Sequence, residues 1–165
     1  MERLIGRRLP DVELAATDGS TVNPARLKGF AVIFCYPWTG RPGHPNPPGW
    51  DTIPGAHGST PQIVQYSRIY QDFHNAGVKL FGASFQEPEW QEEFARRHCL
   101  TFLLLADAKR QFSGTLGLPV FTTGGVDYLK RLTLIAQDGV VETVRFPVTV
   151  PEKDAEETLA LLQSR

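Results

Sequence analysis

Cysteine is nearly absent from this 165-residue chain; Cys35 and Cys99 are the only two. That excludes a disulfide-rich scaffold and a cysteine-based zinc module. An excess of one charge is missing too. Seventeen basic residues face eighteen acidic ones, for a net charge of -1, so the broad basic footprint of a nucleic-acid or anionic-membrane binder is excluded. No apolar run approaches the length of about 18 residues that a spanning helix needs. Met1–Arg8 holds no apolar stretch long enough for a signal peptide. These absences predict one soluble, cytoplasmic domain over residues 1–165, with neither membrane nor nucleic-acid partners. A chain of this size buries enough surface to fold without a disulfide or metal staple.

What is present is patterned. Val12 and Leu14 alternate with polar neighbours and Asp18-Gly19 marks a turn, so residues 10–29 read as an opening hairpin. Phe30 to Tyr36 is apolar on both faces and too short for a typical helix, which predicts a central strand covered on both sides. Residues 37–61 then hold seven of the 13 prolines and five of the 15 glycines. Proline removes donors and glycine removes side chains, so a long loop is expected over 38–58, held down by Trp38, Trp50 and Ile53. A helix over 61–76 follows, then a strand at 78–84, a helix at 87–98, a short strand at 102–105 and a helix at 108–116. A hairpin turning at Asp138-Gly139 and a last helix at 152–163 complete the chain. Strands alternating with helices, closed by an antiparallel hairpin, predict an α/β layered fold with a mixed sheet. The helices 61–76 and 152–163 are expected to flank strand 30–36 on its faces.

Four segments, in this order, carry a resemblance. "LPDVELAATDGSTVNPARLKGFAVIFCYP" is similar to the opening of peroxiredoxins of the alkyl hydroperoxide reductase/thiol-specific antioxidant type. "VKLFGAS" resembles their second strand, and "EEFARRHCLTFLLLADAKRQFSGTLGLP" the helix, strand and helix after it. "KRLTLIAQDGVVETV" resembles the arginine-bearing strand and hairpin that close the peroxidase pocket. The resemblance implies a thioredoxin-like three-layer fold, with helices on both faces of a mixed sheet and an N-terminal β-hairpin. It implies the family activity, reduction of hydrogen peroxide or organic hydroperoxides by a thiol. It also implies a peroxide or other small-molecule ligand, a thiol reductant such as thioredoxin and a homodimer, and no cofactor or metal.

Peroxiredoxins carry their peroxidatic cysteine in a Pro-x-x-x-Thr-x-x-Cys motif at the first turn of the helix after the Tyr-Pro strand. There, helix amides and an arginine favour the thiolate. By resemblance, Ser59 stands at that position and Arg131 matches the pocket arginine, with Pro37, Trp38 and Thr60 expected around them. Ala56 replaces the motif threonine, and Val64 stands where many such members keep a resolving cysteine. A serine hydroxyl neither ionises near neutral pH nor climbs the sulfenic-acid ladder. The implied thiol peroxidase is therefore inactive here, and the alternative is a non-catalytic thioredoxin-fold binding protein.

The same residues have plainer readings. Ser59-x-x-Gln62 is a capping box, with Ser59 accepting from the Gln62 N–H; Thr60 capping ahead of Pro61 is the other choice. Cys35 is expected as a small buried hydrophobe and Cys99 as structural. Ser59, His57 and Asp51 can be written as a triad, but no Gly-x-Ser-x-Gly elbow surrounds the serine.

Overall fold

A computed structural model describes residues 1–165. The strands are β1 (Leu14–Ala16), β2 (Thr21–Val22), β3 (Phe30–Cys35), β4 (Lys79–Ser84), β5 (Leu103–Ala106), β6 (Val120–Thr123), β7 (Val126–Leu129), β8 (Leu132–Gln137) and β9 (Val140–Arg145). The helices are α1 (Ser59–Arg68), α2 (Tyr70–Asn75), α3 (Pro88–Arg97), α4 (Gln111–Leu116) and α5 (Asp154–Gln163). Seven strands make one sheet in the order β2-β1-β5-β4-β3-β8-β9. Strand β3 pairs parallel with β4 and antiparallel with β8, so it is central and the sheet is mixed. No helix is long and apolar enough to cross a membrane.

Alternation along β3 builds two cores. Val32, Phe34 and Tyr36 pack with Ile63, Tyr66, Phe73, Phe94 and Leu159, from α1, α2, α3 and α5. Phe34 stacks on Tyr66 with ring centroids 4.2 Å apart. Ile33 and Cys35 face the other way, onto Phe112 and Leu116 of α4, Leu129, and Leu4 and Leu9 of the N-terminal segment. The sheet is closely approached at Gly82, where a Cβ would lie 2.7 Å from Phe34 Cζ and 2.8 Å from Leu104 Cδ2.

Helices cover both faces, as expected, but the distribution differs from the expectation for two of them. The helices 61–76 and 152–163 share one face. Strands β3, β4 and β5 lie in consecutive order, and right-handed crossovers between parallel strands then put α1, α2 and α3 on the same side. Helix α5 joins them through buried polar contacts described below. The segment 61–76 is also two helices, broken at Ile69, where φ is -105° and ψ is 14°.

Sequence reading missed the separate antiparallel hairpin β6–β7. Its signal was present. Val-Phe-Thr-Thr and Val-Asp-Tyr-Leu flank Gly124-Gly125, and both glycines take positive φ, 58° and 75°, as a two-residue hairpin turn requires.

Candidate functional site

The Pro/Gly-rich loop ends at Gly58, whose φ of 111° turns the chain into α1. A Cβ there would lie 2.7 Å from Pro151 Cγ, so the turn needs glycine for both conformation and space. Ser59 is thereby the first helical residue and Gly58 the cap. Neither expected cap is made. The Gln62 N–H donates to the Gly58 carbonyl at 3.1 Å, and no side chain caps the helix. With Ser59 already inside the helix, its hydroxyl is free for another partner.

That partner is Arg131, in the short link between β7 and β8. Its Nη1 donates to Ser59 Oγ at 3.1 Å and to Gln62 Oε1 at 2.6 Å. Its Nη2 donates to the carbonyls of Gly55, Ala56 and His57 at 3.3, 3.2 and 2.9 Å. Ser59 and Arg131 are both 3% exposed. Burial pushes the Arg131 guanidinium down to about 10, with Asp154 opposing the shift, so it stays charged at neutral pH. Its Nε is buried and has no acceptor.

Gln62 links this group to a second one. Its Nε2 donates to Asp154 Oδ2 at 3.1 Å, which fixes the amide so that Oε1 faces Arg131. Asp154 is fully buried. It also accepts from Tyr66 Oη and Thr133 Oγ1, both at 2.7 Å, and from Arg145 Nε at 3.0 Å. Helix α5 is thereby tied to α1, β8 and β9. Desolvation, then the Asp154 charge, pushes the Tyr66 hydroxyl well above the ordinary tyrosine range, so Tyr66 acts only as a neutral donor.

A cavity of about 440 Å³ opens beside Arg131, walled by Ile53, Pro54, Phe121, Phe146, Pro147 and Val148, with Lys130 and the Asp51–His57 pair among its polar residues. Pro37 and Trp38 line a different, smaller concavity with Phe85, Trp90 and Tyr128. Trp38 meets Trp50 edge-on at 5.5 Å, and Trp90 Nε1 donates to the Thr39 carbonyl at 2.7 Å. These aromatics hold the loop down and do not wall the cavity beside Arg131. Thr60, half-buried on α1, is not in that wall either. Sequence reasoning missed Gln62, Lys130, Phe121 and Phe146. Only Gln62 had a signal, and it pointed to a cap.

The other candidates separate. His57 pairs with Asp51 through Nε2, both exposed, and no hydrogen bond joins the His57 ring to Ser59. The triad is not formed; His57 serves through its backbone carbonyl. Cys35 closes β3 in the core away from α1, fully buried. Burial, reinforced by Asp107, pushes its thiol far up; its burial in the strand is the one expected. Cys99, expected to be structural, is exposed beyond α3 with φ 50°. Both thiols are free.

The Redoxin family profile matches residues 4–160. The chain belongs to the Redoxin family, as a peroxiredoxin. Peroxiredoxin Q of Populus jackii is 29% identical over 160 residues, covering 96% of this chain and 68% of that protein. Peroxiredoxin Q of Sedum lineare is also 29% identical, covering 96% and 77%. Among solved structures, Xanthomonas campestris bacterioferritin comigratory protein superposes with TM-score 0.75 at 22% identity, covering 94% and 95%. A cysteine-to-serine mutant of Xylella fastidiosa PrxQ gives 0.78 at 18%, covering 97% and 95%. The fold is therefore thioredoxin-like, of peroxiredoxin type. The relatives correct one expectation: both plant proteins are chloroplastic, so composition and the first residues are no guide to a cytoplasmic setting.

Proposed function

We propose that this peroxiredoxin keeps a small-molecule pocket and has lost thiol peroxidase chemistry. Peroxide reduction is the activity of the family. The family reaction needs a thiolate that attacks the peroxide O–O bond, becomes a sulfenic acid and is returned to thiol by a reductant. One observation carries the reading: at the first residue of α1, hydrogen-bonded to the buried Arg131, the side chain is the hydroxyl of Ser59. A hydroxyl beside a guanidinium has no base to activate it, and Arg131 cannot take its proton. Neither cysteine can stand in. Cys35 is in the other core, and no cysteine lines the cavity. A thiol reductant such as thioredoxin then has no sulfenic acid or disulfide at this site to reduce.

The experiment is peroxide consumption by the native chain, with hydrogen peroxide and an organic hydroperoxide, and dithiothreitol or thioredoxin as reductant. The expected rate equals that of the same concentration of a free cysteine thiol. Turnover far above that rate overturns the reading, and Cys35→Ala and Cys99→Ser, made separately, would then locate the nucleophile.

A further inference from the structure

We propose that the cavity beside Arg131 binds an organic anion, a monocarboxylate with an apolar body. The inference rests on the reading of this cavity as a retained binding pocket and names its ligand class. Two independent features point to an anion. Arg131 forms part of the wall and carries a charge that no carboxylate pairs with. Lys130, next in the chain and exposed, lies in the same wall and takes part in no ion pair of the protein. The one carboxylate in the wall, Asp51, is engaged by His57. Two cations, Arg131 and Lys130, against that one carboxylate leave the wall with a net positive charge.

The rest of the wall sets the body of the ligand. Ile53, Phe121, Phe146 and Val148 make an apolar surface within about 440 Å³, where a fully hydrated inorganic anion would lose its water without compensation. A carboxylate answers both features. Its charge meets Lys130 and lies beside the Arg131 guanidinium, and its hydrocarbon covers Phe121 and Phe146. The latter is 37% exposed in the free protein.

Isothermal titration of the full chain tests this with acetate, butanoate and hexanoate. Hexan-1-ol, hexylammonium and inorganic phosphate serve as controls. Binding is expected to tighten about fourfold per added methylene, from the transfer energy of one buried CH₂. Lys130→Glu, an exposed change whose backbone N–H bond to the Pro119 carbonyl is untouched, is expected to weaken hexanoate roughly tenfold. Hexanol binding as tightly as hexanoate, or full affinity in Lys130→Glu, overturns the anion. Phosphate binding more tightly than hexanoate overturns the apolar body. Peroxide consumption on the same sample separates the two readings. A chain that neither consumes peroxide nor binds hexanoate loses this inference alone; one that does both loses only the proposed loss of peroxidase chemistry.

Discussion

Asp154 and Arg131 are two buried charges joined by one glutamine, and they are completed differently. Asp154 has every acceptor site filled: Gln62, Tyr66 and Thr133 on one oxygen, Arg145 and, at 3.4 Å, Thr158 on the other. A cation, Arg145, balances its charge. Arg131 has no carboxylate against it. It is held by five neutral oxygens, and one of its donors is left over. The first is a closed structural node that fastens α5 to the sheet. The second fastens the end of the loop with four of its N–H groups and leaves the fifth, Nε, buried without an acceptor. An unsatisfied group marks the place where a fold has been shaped for something other than its own stability.

The sharpest way to break this contrast is Asp154→Ala. Removing the acceptor leaves Arg145 with Glu157 alone, Tyr66 with Thr158 alone, and the Thr133 and Gln62 donors without Asp154. Breaking a buried pair from one side costs about 3–5 kcal/mol. Urea unfolding should report that loss. A loss under about 1 kcal/mol would mean the node is not structural.

A smaller effect is expected where backbone shape sets the open node. Gly58→Ala adds left-handed strain of about 1–2 kcal/mol and an overpacking cost of about 1–3 kcal/mol, because the new methyl meets Pro151. Roughly 2–5 kcal/mol of stability should disappear. Gly55→Ala, also at positive φ but with nothing within 4 Å of its Cβ, should lose only about 1 kcal/mol. Thermal unfolding of the two variants gives the comparison. Equal losses would show that Pro151 yields and that packing does not fix the start of α1.

The sheet was legible in the sequence because its signals are local. The doubly apolar run of β3, the Asp138-Gly139 turn and the strand–helix alternation each lie within a few residues. The site was legible only as far as resemblance reached, to Ser59 and Arg131. Gln62 read as a cap because a side chain three residues into a helix usually serves its own helix; its partners, Arg131 and Asp154, are 69 and 92 residues away. Pro37 and Trp38 are neighbours of the site along the strand end. The loop folds so that its later residues, Ile53 to His57, reach the pocket instead. The β6–β7 hairpin carried a readable Gly-Gly turn and brings Phe121 to the cavity, which composition could not show.

The finest test of the open node is Ser59→Cys. Oxygen and sulfur differ by one row, and the site at the start of α1 holds its residue through backbone geometry and one Arg131 bond, so the fold should survive. The introduced sulfur would face the unpaired amides of the first helical turn and the Arg131 guanidinium. Both stabilise a thiolate, so its pKa should fall at least one unit below the free value of about 8.5, or about 1.4 kcal/mol per unit. A folded-state pKa below the unfolded one makes the anion a source of stability above about pH 8.5. That gain is lost as the pH falls through the folded value. Arg131→Met in the same background should raise the thiol pKa again, and Arg131→Lys, which keeps charge without the planar fork, should fall between. With Val64 where a resolving cysteine would be needed, peroxide should leave the sulfur as sulfenic acid or a mixed disulfide, seen by mass spectrometry of the trapped species. Closed and open nodes then separate cleanly: the same titration should be indifferent to Arg145→Lys, which touches only Asp154 and Glu157. A thiol that titrates like free cysteine, ignores Arg131 and resists peroxide would show that the open node is merely another clamp.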